Sequence, residues 1–181
     1  MEGNNKLMKL RILNCMNVEK KIRQIIGLIC AIITYYIIHE GAHYLVAPYF
    51  KVFKEIKFLG LGIQIDVFVE KMSKYQMAIF CLAGVIATII AATILIAFTN
   101  KICNLKNKIV KTYFYYTTMI MLFLDPIYLG VLYKLFGGGD MNGIKLIFPE
   151  IYVQITFITL FVVAIYIYVI YILHKYKKSF I

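Results

Sequence analysis

The five residues His39-Glu40-Gly41-Ala42-His43 place two imidazoles and a carboxylate within little more than one helical turn. On a helix, positions 39 and 43 stand one above the other on the same face, so both rings can reach a single metal ion. Glu40 is rotated by about 100° from His39, close enough to touch a water on that ion without being a ligand itself. Zinc held in this way lowers the pKa of such a water towards about 7, and the carboxylate takes its proton as it attacks a carbonyl. Residue type and spacing thus point to metal-assisted hydrolysis. His39 and His43 are expected to bind one Zn2+, with Glu40 as general base.

The elements that must position these residues are apolar. The chain has 181 residues, 62% of them hydrophobic. A soluble domain of this length buries only about two-thirds of the surface its unfolded chain exposes, so lipid is the remaining solvent. Spanning helices need roughly 20 mostly apolar residues. Four stretches qualify: about 25–49, 75–98, 112–135 and 151–173, the third interrupted by Asp125-Pro126 and the last without an ionisable residue. In the second, Ala83, Ala87, Ala91 and Gly84, Thr88, Ala92 recur every four positions, which lets one face approach another helix closely. The metal motif falls inside the first span. Counting from residue 25, His39 lies about 21 Å along the helix, within a hydrocarbon core of about 30 Å. Three ionisable groups at that depth each cost about 2.5–3.5 kcal/mol and call for a compensating partner, which a divalent cation supplies.

Between the first two spans, residues 54–71 differ in kind. Ile63, Ile65, Val67 and Val69 alternate with Gln64, Asp66, Phe68 and Glu70, the period of a strand, and Gly60 and Gly62 suggest a turn before it. The expected fold is an all-α membrane protein of about four transmembrane helices with a short interfacial β-hairpin between the first two. It forms a single membrane-embedded domain over 1–181, with a basic segment at 1–21 and a basic tail at 174–181. The 1–21 segment lacks an apolar run, so the first span is expected to be an uncleaved anchor.

The formal charge of +11, from 20 Lys+Arg against 9 Asp+Glu, falls mainly between spans and at both ends. These cations are read as flanking charges against anionic headgroups, with no nucleic-acid partner. Thirteen of them lie on the side of the termini and the 101–111 loop, and seven on the other. The positive-inside rule then places both termini in the cytoplasm. Cys15, Cys30, Cys81 and Cys103 are far apart, with no C-x-x-C pair, and read as small apolar residues.

Catalytic zinc usually has three protein ligands and one open position. His174 sits in the basic tail at the wrong end of its span and reads as a helix-end cation. Two carboxylates remain. Asp125 is about 20 Å into the third span and matches the depth of His39. Asp140 lies in Gly137-Gly138-Gly139-Asp140-Met141-Asn142-Gly143, whose glycines could fold it back towards the site or leave it in a surface turn. Depth alone favours Asp125.

The HEGAH motif in a span, a strand pair after it, a following span that opens Cys81-Leu82-Ala83-Gly84, and then Leu124-Asp125-Pro126-Ile127 and Asp140-Met141-Asn142-Gly143 together resemble the site-2 protease family of intramembrane zinc metalloproteases. The resemblance runs from about residue 35 to 148. It implies that Asp140 is the third zinc ligand and that Asp125 stands where the family has an asparagine, as a ligand support or substrate contact. It also implies an endopeptidase cutting a membrane-protein substrate in or near a transmembrane segment, in the cell membrane. Family members whose site faces the cytosol would have the opposite orientation to the charge count. Two other functions fit the same residues: a non-catalytic, metal-stabilised binder of membrane proteins, and a metal transporter. The transporter lacks the broken-helix repeat pairs that usually mark one. Substrate-binding residues and oligomeric state are not specified by the sequence.

Overall fold

Apolar side chains cover the chain in runs that alternate with lysine-rich connections, and the helices follow those runs. The computed structural model describes residues 2–59, 62–135 and 139–180, except for the side chains of 2–16 and 59. Helix α1 (Glu2–Tyr49) is followed by strands β1 (Phe53–Leu59) and β2 (Gly62–Val67), then by a 3-10 turn at Val69–Lys71. Helices α2 (Lys74–Ala97), α3 (Thr99–Cys103) and α4 (Lys108–Ile127) come next, and α4 continues into a π-turn at Tyr128–Leu132. The short α5 (Gly139–Ile144) precedes α6 (Glu150–Ile167), a second π-turn at Tyr168–Leu173, and α7 (His174–Ser179).

Four helical stretches are long and apolar enough to cross a membrane: Asn17–Tyr49, Lys74–Ala97, Lys108–Leu132 and Glu150–Ser179. The expected architecture is therefore present, with the hairpin between the first and second spans. The basic 1–21 segment is helical from Glu2 onward and continuous with α1. Two details differ. Pro126 does not interrupt the third span: α4 runs through it and widens into the π-turn two residues later. Proline removes one backbone donor and crowds the carbonyl one turn before it, and a change of helical pitch absorbs both effects without ending the helix. The strand alternation stops at Val67, since Val69 begins the 3-10 turn. The turn expected at Gly60 lies outside the described residues, as do Gly137 and Gly138.

Local signals fix the ends. Helix α1 closes with Lys51 at φ 58°, with Val52 N–H bonded to Ala47 C=O at 3.0 Å and Lys51 N–H to Pro48 C=O at 2.9 Å. This is the Schellman pattern, and it turns the chain directly into β1. Ser73 and Gln76 form a reciprocal capping box at the start of α2, and Asn107 caps α4 through the N–H groups of Ile109 and Val110. The hairpin is antiparallel, with Ile56 opposite Ile65 and Phe58 opposite Ile63.

Helix α1 packs against α2 and α4, and α5 lies against α2. The face of α2 that turns inward carries Gly84, Thr88 and Ala92, one of the two rows of small residues evident in the sequence. The main core cluster joins Ala47, Val52, Ile65 and Val67 to Val85, Leu129 and Met141, so hairpin, α2, α4 and α5 meet at one end of the bundle. That junction surrounds the metal motif.

Candidate metal centre

His39 and His43 lie one turn apart in α1 and both are buried, with ring centroids 5.0 Å apart. Their outer nitrogens face the same place. His39 Nε2 is 3.2 Å from Asp140 Oδ2, and His43 Nε2 is 3.6 Å from Asp140 Oδ1, so one carboxylate spans the two rings. Asp140 is carried there by α5, not by a surface turn.

The inner nitrogens are held from behind. His43 Nδ1 donates to the Phe80 carbonyl of α2 at 2.8 Å. His39 Nδ1 is 3.4 Å from Asp125 Oδ1 and 3.3 Å from the Tyr35 hydroxyl. The Asp125 carboxylate in turn accepts hydrogen bonds from the Tyr35 hydroxyl at 2.5 Å and from the Thr88 hydroxyl. Depth alone favoured Asp125 as a ligand; the structure places it on the Nδ1 side of His39, behind the ring, and gives all of its nearest contacts to hydroxyls and that nitrogen. A ligating imidazole whose second nitrogen donates to a carboxylate or a backbone carbonyl is held in one tautomer and one orientation. Both rings here have such a support.

Glu40 points into the same cavity from the adjacent position of α1, and its Oε2 accepts from Ile65 N–H of β2 at 3.2 Å. Nitrogen and oxygen atoms of His39, Glu40 and His43 fall within 4.8 Å of one another, a group that could hold a metal ion. The cavity has a volume of about 580 Å3 and is lined by all of these residues together with Gly62, Ile63 and Gln64 along β2.

Room for an ion depends on Gly84. A Cβ added there would sit 2.6 Å from His39 Nε2 and 2.7 Å from His43 Nε2, below any real contact distance. The helix that forms the wall opposite the two imidazoles is therefore bare where they converge. Residues present and room available both suit a metal ion: two imidazole nitrogens and a carboxylate converge beside an open cavity, the ligand number of a catalytic site.

No family model, characterised protein or solved structure matches the chain. The geometry stands alone.

Of the residues singled out by sequence, His39, Glu40, His43 and Asp140 come together, Asp125 supports from behind, and His174 lies exposed in α7. Cys30, Cys81 and Cys103 are free thiols. Sequence reasoning missed Tyr35, Thr88 and the wall function of Gly84. The first two had a detectable signal. Tyr35 is one turn before His39 on the same face of α1, and Thr88 is one turn after Gly84 on α2.

Proposed function

We propose that this chain is an intramembrane zinc metalloendopeptidase of the site-2 protease type, which hydrolyses a peptide bond in or near a transmembrane segment of another protein in the cell membrane. The observation that carries the reading is the convergence of both Nε2 atoms on Asp140 with Glu40 beside them. His39, His43 and Asp140 would be the three ligands of one Zn2+, leaving a fourth position open. When bound, zinc supplies a Lewis acid that acidifies water and polarises the scissile carbonyl. Glu40 accepts the proton of the attacking water and returns it to the leaving amine as the C–N bond breaks. Asp125 and the Phe80 carbonyl keep the imidazoles aimed, and Tyr35 and Thr88 keep Asp125 aimed.

The substrate must be locally unwound, because a helix uses its own amides. β2 offers a place for an extended strand: Ile65 N–H points away from β1 and into the cavity, where Glu40 now accepts it. A peptide pairing with this edge takes that N–H for its own carbonyl. Strand addition then frees Glu40 at the moment a peptide bond reaches the site, so the general base is engaged only when substrate is seated.

Zinc content and cleavage of a transmembrane reporter, measured side by side, test the reading. Wild type should carry one zinc per chain, and His43→Ala and Asp140→Ala should carry none. Glu40→Gln should keep zinc and lose cleavage by about 100-fold or more. Full zinc in His43→Ala, or cleavage that persists in Glu40→Gln, refutes it; zinc retained with no cleavage by wild type points to a non-catalytic binder.

A further inference from the structure

At the end of the bundle away from the metal centre, three cations line one hollow. Lys20 and Arg23 come from α1 and Lys177 from α7, around a cavity of about 400 Å3. Its remaining walls include Gln24 and the rings of Tyr115, Tyr116 and Phe180, and no carboxylate lines it among the described residues. The volume is several times the ~30 Å3 share of one water, so a group the size of a phosphate fits.

Among the described residues, the charge that accumulates here has no acidic partner. The Phe180 ring lies between two cations, 5.5 Å from Arg23 Cζ and 5.2 Å from Lys111 Nζ. Lys111 is buried, and its ammonium donates to the backbone carbonyls of Ser179 and Cys103, so it adds a charge that no acid offsets among the described residues. Arg23 Nε is buried and has no hydrogen-bond partner among the described residues. A buried donor left unsatisfied costs about 1–3 kcal/mol, more when charged, and calls for an acceptor. The hollow sits where three spans begin or end: Asn17–Tyr49, Lys108–Leu132 and Glu150–Ser179. Lysines and tyrosines at such a level mark the headgroup region.

We infer that this hollow is a binding site for an anionic phosphate group, with Arg23 as the directional donor and Lys20 and Lys177 as the flanking charges. Two sources carry that chemistry, an acidic phospholipid headgroup and free phosphate, and the same titration separates them. Full-length protein in neutral detergent is titrated with dioctanoyl phosphatidylglycerol, dioctanoyl phosphatidylcholine or inorganic phosphate, and adducts are counted by native mass spectrometry. Phosphatidylglycerol should give one saturable adduct per chain. Lys20→Gln and Lys177→Gln, both at exposed positions that folding does not need, should each weaken it about fivefold, and Lys145→Gln, on the other side, should leave it unchanged. Arg23→Lys, which keeps the charge but loses Nε, should weaken it as well. Competition by inorganic phosphate assigns the site to the phosphate group itself; phosphatidylglycerol binding that phosphate does not displace assigns it to the lipid. Equal binding of zwitterionic phosphatidylcholine, or undiminished phosphatidylglycerol binding by the Lys20→Gln/Lys177→Gln double variant, would overturn the inference.

Discussion

Gly84 separates two effects that usually move together. A helix interior gains up to about 1 kcal/mol when glycine becomes alanine, so Gly84→Ala should leave α2 intact and its helicity undiminished. The added Cβ nevertheless lands within 2.7 Å of both Nε2 atoms and fills the place where they converge. Metal content should fall to background while circular dichroism is unchanged. An alanine variant that still holds a full metal equivalent would mean the ion sits elsewhere. Asp125→Asn tests the support behind His39. It keeps the side chain's volume but removes the carboxylate that faces Nδ1, and losing such a partner typically weakens metal binding about 10–100-fold without abolishing it. Competitive chelator titration measures the change, and complete loss would instead make Asp125 a direct ligand. His39, Glu40 and His43 were legible in the sequence because a helical period alone fixes their relation. Asp125 was not, since depth along a span cannot say on which side of an imidazole a carboxylate stands. That depends on how α4 is rotated against α1, which is set by packing rather than by local pattern.

The hairpin raises the same question at the level of an element: which edge of β2 is free, and what lies along it. Ile65 N–H bonds to Glu40, so Ile65 and its partner Ile56 form a pair whose backbone groups point away from each other. Ile65→Pro deletes a donor that faces the cavity, whereas Ile56→Pro deletes one on the outer edge of β1, where proline is tolerated. Reporter cleavage should drop about tenfold or more in the first variant and stay near wild type in the second, given that proline has no N–H to offer a pairing strand. Equal loss in both would indicate a damaged hairpin rather than a lost docking edge. The strand pair was legible because its alternation is strict from Ile63 to Val67. Its boundary was not, because the alternation of side-chain types runs on to Val69 while the backbone has already turned to reach the capping box at Ser73. Pro126 shows the opposite failure. A strong local breaker signal was overruled by a helix that has apolar surface on both sides of it to bury.

For the whole molecule, composition specified lipid as the solvent and the lengths of the apolar runs specified four spans, because those two properties depend only on the amount and continuity of apolar surface. The packing order, with α1, α2 and α4 each in contact with the other two, had no such signature. Orientation is the remaining global property, and the charge distribution predicts it: thirteen of the twenty Lys and Arg lie on the side of the termini and the loop before α4, seven on the side of the hairpin and α5. Each cation held back on the cytoplasmic side adds to the bias, so the hairpin, the metal cavity and Lys145 should face away from the cytoplasm. Single cysteines test this in a chain whose own four are replaced by alanine. In intact cells a membrane-impermeant maleimide should label Lys145→Cys at once, and Lys106→Cys only after permeabilisation. The reverse pattern would turn the cavity towards the cytosol. Substrate strands would then have to reach β2 from the cytoplasmic leaflet, and the phosphate-binding hollow at the opposite end would lie in the outer one.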